Sequence, residues 1–198
     1  LSTPYSTAFE IVQTDFTFES WVYRTVQGVD QEILNCRVNT PSVSGIFVRL
    51  TSANKVMFSY AGTAYSLTTT NTITLNTWTH IAVTRSGTTL RIFINGTLDS
   101  SATFGNGSLP ITPLYIGRDE NGSSLYSGYL TDWRLIKGTA LYTTNFVPSF
   151  SPLTATNNTS LLLNGSPTCG IMDATRNTNL ETFGAAKVTP FGPYNGTY

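Results

Sequence analysis

The residues that could do covalent chemistry in this chain are its few acids, one histidine and two cysteines. Paired carboxylates about 5–5.5 Å apart, or wider with a water between them, could cleave a glycosidic bond. Glu19 stands alone on its predicted strand. Asp30 and Glu32 share a face at two-residue spacing, but they open a strand beside Gly28, and a solvated strand edge is the expected setting. Asp119 and Glu120 sit in a turn with Asn121-Gly122, where adjacent acids point apart. His80 is the only histidine, and a Ser–His–Asp triad would need a nucleophile and an acid brought to it. Its place in the run Trp78–Arg85 accounts for it without chemistry. One histidine with the distant Cys36 and Cys169 does not make a zinc set. The two cysteines could pair or stay as buried thiols, and both readings stay open.

The elements that must position these residues read as strands. Phe16–Tyr23 alternates, with Phe16, Phe18, Ser20 and Val22 on one face and Glu19, Trp21 and Tyr23 on the other. Aromatics on both faces predict a strand covered on both sides. Glu32–Val38, Gly45–Leu50, Lys55–Tyr60 and Ala64–Thr68 are further strands, with a hairpin turn at Thr51–Asn54. Trp78–Arg85, Leu90–Ile94, Leu114–Gly117 and Gly128–Leu135 continue the ladder. Asn95-Gly96 is the strongest hairpin signal, since both residues accept the positive φ of a type I′ turn. Ser86-Gly87, Asn106-Gly107 and Asn121-Gly122 are further turns. A short helical turn is expected at most around Thr139–Tyr142. Phe146–Leu153 reads as an extended connector, because each Pro turns its predecessor away from helix. Ser160–Leu163 returns to strand, and Pro190–Gly196 is loop-like. Many short strands with regular turns predict an all-β antiparallel sandwich or jelly roll. The domain division that follows is a sandwich over 1–189, with a connector at 145–160 and closing strands at 160–189, then an arm or linker at 190–198.

Composition narrows the partners. The chain has 198 residues, enough for one sandwich, with 11% charged residues and a formal net charge of zero. An average soluble protein has about 25% charged residues. That balance argues against nucleic acid and against a polybasic membrane contact. No apolar run approaches the roughly 20 residues of a membrane span. Leu1 stands where an initiator Met would, which implies a processed product or a piece of a longer chain. Sequons at Asn95, Asn106, Asn121, Asn157, Asn158, Asn164 and Asn195 matter only on a eukaryotic secretory route.

The ordered runs Asp15–Tyr23, Trp78–Arg85, Leu90–Gly96, Leu114–Gly117 and Tyr129–Arg134 resemble the strands of the concanavalin A-like, laminin-G-like jelly-roll family. Trp133–Tyr142 followed by Phe146-Val147-Pro148 resembles the laminin-G-like modules of bacteriophage virion proteins, which often recur in tandem. Ser160–Asn164, Ile171–Thr175 and Leu180–Thr182 look like strands that normally open such a module, here closing the chain in a permuted frame. The resemblance implies a two-sheet sandwich in a virion-surface or extracellular module. Its expected partners are host-surface glycans, other virion proteins and further copies of itself. It also admits calcium, which takes six to eight oxygens, at the loop rim of Asp119, Glu120 and Asn121, with Asp30 or Asp132 able to join. An ordinary polar turn is the favoured reading of that rim. Trp21, Trp78 and Trp133 lie inside the family's strand motifs, so core packing is expected for all three. The expected sugar contacts are Tyr60, Tyr65, Tyr126 and Tyr129, whose rings offer a flat face and a polar tip. The leading expectation is a non-catalytic adhesion or decoration module. A glycan-degrading enzyme with a displaced acid pair and a purely architectural self-assembling subunit are the alternatives.

Overall fold

A computed structural model describes residues 1–11, 13–38, 44–60, 65–105, 112–166 and 168–194. In chain order the strands are β1 (Ser2–Thr3), β2 (Phe16–Arg24), β3 (Gln31–Val38), β4 (Ser44–Leu50), β5 (Val56–Tyr60), β6 (Tyr65–Thr68) and β7 (Thr79–Ser86). They continue as β8 (Thr89–Ile94), β9 (Thr97–Thr103), β10 (Leu114–Ile116), β11 (Gly128–Lys137), β12 (Thr159–Ser166) and β13 (Gly170–Asp173). Among the described residues these form two antiparallel sheets, in the orders β1-β10-β3-β4-β5-β6 and β13-β12-β11-β2-β7-β8-β9. The predicted all-β two-sheet sandwich is the observed architecture. A 3-10 turn at Thr7–Phe9, capped by Ser6, carries no strong signal in the sequence. The helical turn expected at Thr139–Tyr142 is absent, and that segment takes no regular secondary structure. The reason is lateral bonding. Leu141 N donates to Thr17 Oγ1 at 2.8 Å and Thr84 Oγ1 donates to the Tyr142 carbonyl at 2.7 Å.

The core lies between the sheets. Phe16, Phe18, Val22, Ile81, Val83, Ile92, Trp133 and Leu135 face Leu34, Cys36, Ile46, Val48, Leu50, Val56 and Phe58. Burying each such side chain contributes roughly 1.5–3 kcal/mol against chain entropy. Trp133 is fully buried, and its Nε1–H donates across the sandwich to the Ile33 carbonyl at 3.2 Å. Cys36 lies in this core and Cys169 at the surface, so no disulfide joins them.

The hairpin prediction at Asn95-Gly96 holds: φ is 49° and 76°, and the turn joins β8 to β9. Gly87 and Gly122 also take positive φ at their predicted turns. Asn106-Gly107 and the sequon at Asn195 lie outside the described residues. A register shift in β11 between Thr131 and Arg134 sets the outer face of the larger sheet. The extra residue lets Trp133 enter the core while Arg134 stays opposite Glu19 on the outside. Asp132 takes φ 51° within this bulge.

Candidate functional site

The outer face of the seven-stranded sheet is a lattice of side chains set by register. Across β7, β2 and β11 the rows read His80–Trp21–Thr131, Ala82–Glu19–Arg134 and Thr84–Thr17–Ile136. Above them, Trp78 enters β7 beside Tyr23, and Tyr23 pairs with Tyr129. Strand alternation therefore delivers both a polar centre and an aromatic end to one face.

The polar centre is Glu19, whose side chain is 1% exposed. Arg134 clamps Oε1 through Nε at 2.9 Å and through Nη2. His80 Nε2 lies 3.2 Å from Oε2, and Tyr142 Oη donates to the same oxygen at 2.9 Å. Burial pushes the Glu19 carboxyl up, but the His80 hydrogen bond and the Arg134 charge outweigh it and hold it below its ordinary value. Asp132 stands nearby, accepting from Leu153 N at 2.9 Å and from Tyr194 Oη. Burial, opposed by the Leu153 amide and reinforced by Glu19, raises its carboxyl to about 6.

A strap of residues 138–158 covers this centre. It crosses toward the β8–β9 turn, where Phe146 N donates to the Gly96 carbonyl at 2.9 Å. It then returns, with the Thr154 carbonyl accepting from Arg134 Nη1 at 3.1 Å. Tyr142 and Phe146 stack at 3.6 Å, with Phe146 set edge-on to His80 and Phe93. Every oxygen of Glu19 is thus occupied beneath a lid of rings. A carboxylate so held braces the sheet and has no path to a substrate.

The aromatic end is open by comparison. Tyr23 contacts Trp78 at 5.5 Å, Tyr129 at 5.7 Å and Phe191 at 4.8 Å between ring centroids. Phe191 comes from the C-terminal arm and also contacts Trp78 at 5.5 Å and Tyr129 at 4.8 Å. Tyr129 is 36% and Phe191 44% exposed, while Trp21, Tyr23 and Trp78 are half-buried. The expectation of core packing holds for Trp133 and fails for Trp21 and Trp78. Both lie on the Glu19 side of the β2–β7 lattice, the face that alternation already gave for Trp21.

The other face carries a second ionic cluster. Glu32 is fully buried and receives Arg49 Nη2 at 2.5 Å and Arg37 Nη2 at 3.2 Å. Arg49 also reaches Asp30 at 2.8 Å, and both guanidiniums stack on Phe47. The solvated-edge reading of Asp30 and Glu32 is therefore wrong for Glu32: β3 is an interior strand, and its acid needs these partners. Burial, only partly offset by Arg49 and Arg37, raises the Glu32 carboxyl to about 7. Glu19 and Glu32 lie on opposite outer faces, so they form no acid pair.

The remaining expected site residues scatter. Tyr60 and Tyr65 stack at 6.0 Å on the smaller sheet, next to Phe104. Tyr126 turns inward; its hydroxyl points to the Tyr129 carbonyl at 3.4 Å, and burial raises its pKa. Only Tyr129 joins the aromatic end. At the proposed calcium rim, Asp119 accepts from Asn121 N at 3.1 Å, Ser123 N at 2.6 Å and Ser124 Oγ at 3.2 Å. Glu120 turns to Arg37 at 3.4 Å. Asp119 thus caps its own turn, with its oxygens taken up by these donors. Among the described residues no group of three or more His, Cys, Asp and Glu is placed to hold a metal ion, and no helix is long and apolar enough to cross a membrane.

Comparison with known proteins agrees with this fold. Of the solved structures, a carbohydrate-binding protein of Bacteroides ovatus, described as putative, superposes with TM-score 0.63 at 15% identity, covering 95% of this chain and 58% of that one. The chain thus spans little more than half of that relative. The CBM40 module of a Ruminococcus gnavus IT-sialidase gives TM-score 0.52 at 14% identity, covering 72% and 90%. A heptameric SAP-like pentraxin of Limulus polyphemus gives 0.51 at 15%, covering 72% and 76%. At these identities the likeness is one of fold. No curated protein sequence matches the chain. A family model matches residues 2–141, from β1 through the β11 strand that carries Tyr129 and Arg134, and by that match the chain belongs to the concanavalin A-like lectin/glucanases superfamily.

Proposed function

We propose that this chain is a non-catalytic carbohydrate-binding module, and that its contact surface is the aromatic end of the seven-stranded sheet. The observation that carries this reading is the surface cluster of Tyr23, Trp78 and Tyr129. Aromatic faces hold the apolar C–H face of a sugar, while the carboxylates that hydrolysis would require are clamped by arginines. The Ruminococcus gnavus module, a relative in fold that has been solved with sialyllactose bound, supports this reading. The test is a glycan array with multimerised protein, in calcium and in chelator. Binding that survives chelator and is lost in Trp78→Ala supports the proposal. A blank array overturns it. Calcium stays a proposal confined to one outcome: binding lost in chelator would mean that Asp119 releases its turn to take a cation.

The finer reading places the module on a bacteriophage virion, adhering to host-surface glycans or decorating the particle beside other virion proteins. Its support is the likeness of Trp133–Tyr142 and Phe146–Pro148 to virion modules, together with the low charge, which suits tight packing between copies. Many copies would turn weak single contacts into firm adhesion. Particles lacking the module should attach poorly or lose integrity, and unchanged attachment and integrity would sink this placement. Concentration-dependent assembly without any glycan signal would favour an architectural subunit instead.

A further inference from the structure

We propose that the seat of Phe191 is a pyranose-binding cup, and that the C-terminal arm is its resident occupant, displaced when a sugar binds. This rests on the carbohydrate-binding reading and adds the ligand class and a competitor. Three neighbouring rings form the cup: Tyr23 of β2, Tyr129 of β11, and Trp78, one residue before β7. The Phe191 ring stands at 89° to Tyr23, 62° to Tyr129 and 34° to Trp78. A single six-membered ring thus meets two edges and one tilted face, and a pyranose chair has a similar footprint.

A second observation points to a polar ligand. Trp78 Nε1 is buried and has no hydrogen-bond partner. An unpaired buried donor is unfavourable, and the Phe191 ring offers no acceptor to relieve it. A sugar hydroxyl would. The rings lining the cup are uncharged, so the ligand class is a neutral hexopyranose with an apolar C–H face and an acceptor at its rim.

The arm is held in a way that permits exchange. Among the described residues, none of 187–194 makes a backbone hydrogen bond to a strand. Phe191 N is satisfied locally by Thr189 Oγ1 at 3.1 Å. Side chains hold the arm instead: Val188 against Gly165 of β12, the Phe191 ring, and Tyr194, which donates to Asp132 and sets its ring edge-on to Trp21 at 6.5 Å. Phe191 remains 44% exposed in its seat. An occupant that fills the cup for part of the time lowers the apparent affinity by the fraction of cups left open.

The experiment uses the full chain with cellotetraose and lactose as probes. Calorimetry measures affinity, and acrylamide quenching of tryptophan fluorescence reports cup exposure without sugar. Phe191→Ala is expected to raise quenching and to tighten binding about tenfold or more. Tyr194→Phe, a milder loosening of the arm, should give a smaller gain of about 2–5-fold and guards against a folding defect in the first variant. Trp78→Ala in the Phe191→Ala background should abolish the gain. If quenching rises but affinity stays flat while Trp78→Ala still removes binding, the arm is no competitor; the inference falls and the carbohydrate-binding reading stands. If sugar binds wild type and is indifferent to both residues, the cup is not the site. If neither probe nor any array glycan binds wild type or Phe191→Ala, both readings fall together.

Discussion

At the scale of single residues, Glu19 and Glu32 look alike in sequence and behave oppositely in the fold. Glu19 is over-compensated: Arg134, His80 and Tyr142 all stabilise its charge. Removing it leaves Arg134 buried without its partner, so Glu19→Ala is expected to cost about 3–5 kcal/mol in denaturant unfolding. Its lowered carboxyl contributes stability above the ordinary carboxylate pKa, and that stability is lost as pH falls through the folded value. Glu32 is under-compensated. Its folded pKa of about 7 exceeds the unfolded value, so the folded state binds the extra proton and stability declines as pH rises from about 4.5 to 7. Asp132, raised to about 6, adds to the same decline over a lower window. Glu32→Gln should flatten the stability curve between pH 5 and 8 by up to the order of 3 kcal/mol. Thermal melts of wild type and variant across that range check it, and parallel curves would show that Glu32 does not titrate there.

At the scale of elements, one bulge and one strap organise the larger sheet. The bulge in β11 lets a single strand supply Trp133 to the core and Arg134 to the outer face. The strap is fastened at the β8–β9 turn, where a Cβ on Gly96 would overlap the Phe146 carbonyl oxygen. Gly96→Ala should therefore cost about 2 kcal/mol or more, combining the positive φ of 76° with displacement of the strap. Hydrogen exchange should show lost protection at the Phe146 amide, and full protection there would mean that the strap is seated by its rings alone. This turn was legible in sequence, because Asn-Gly has few other uses. The strand faces of Phe16–Tyr23 were legible too, since alternation fixes them. The outward course of Trp78 was not: it lies one residue outside β7, where a motif gives no side. The strap's path was hidden as well, because Thr17 and Thr84 hold it through side chains far away in sequence. Phe191 carried no signal at all, since a ring between Pro and Gly in an irregular arm has no period.

At the scale of the whole molecule, both outer faces are occupied, and this decides where a ligand can land. The strap and the C-terminal arm lie over the seven-stranded sheet, and stacked arginines cover Phe47 on the other. Among the described residues two exposed tyrosines remain, at separate places. Tyr65, 50% exposed, lies on the edge strand β6 beside Tyr60, to which its ring is nearly parallel at 22°, and beside Phe104. Tyr129 stands in a group whose rings meet at varied angles and could contact a ligand from several sides. A sugar contacted on several sides loses more water contact than one lying on a single ring. Truncating a central aromatic anchor typically costs 2 kcal/mol or more, and each 1.4 kcal/mol is about tenfold in affinity. Tyr129→Ala should thus weaken glycan binding about tenfold or more, while Tyr65→Ala stays within about twofold. Multimerised protein should exaggerate the contrast, because avidity compounds a loss at every copy. The reverse pattern, with Tyr65 essential and Tyr129 dispensable, would move the binding surface to the mouth of the sandwich between β5, β6 and Phe104.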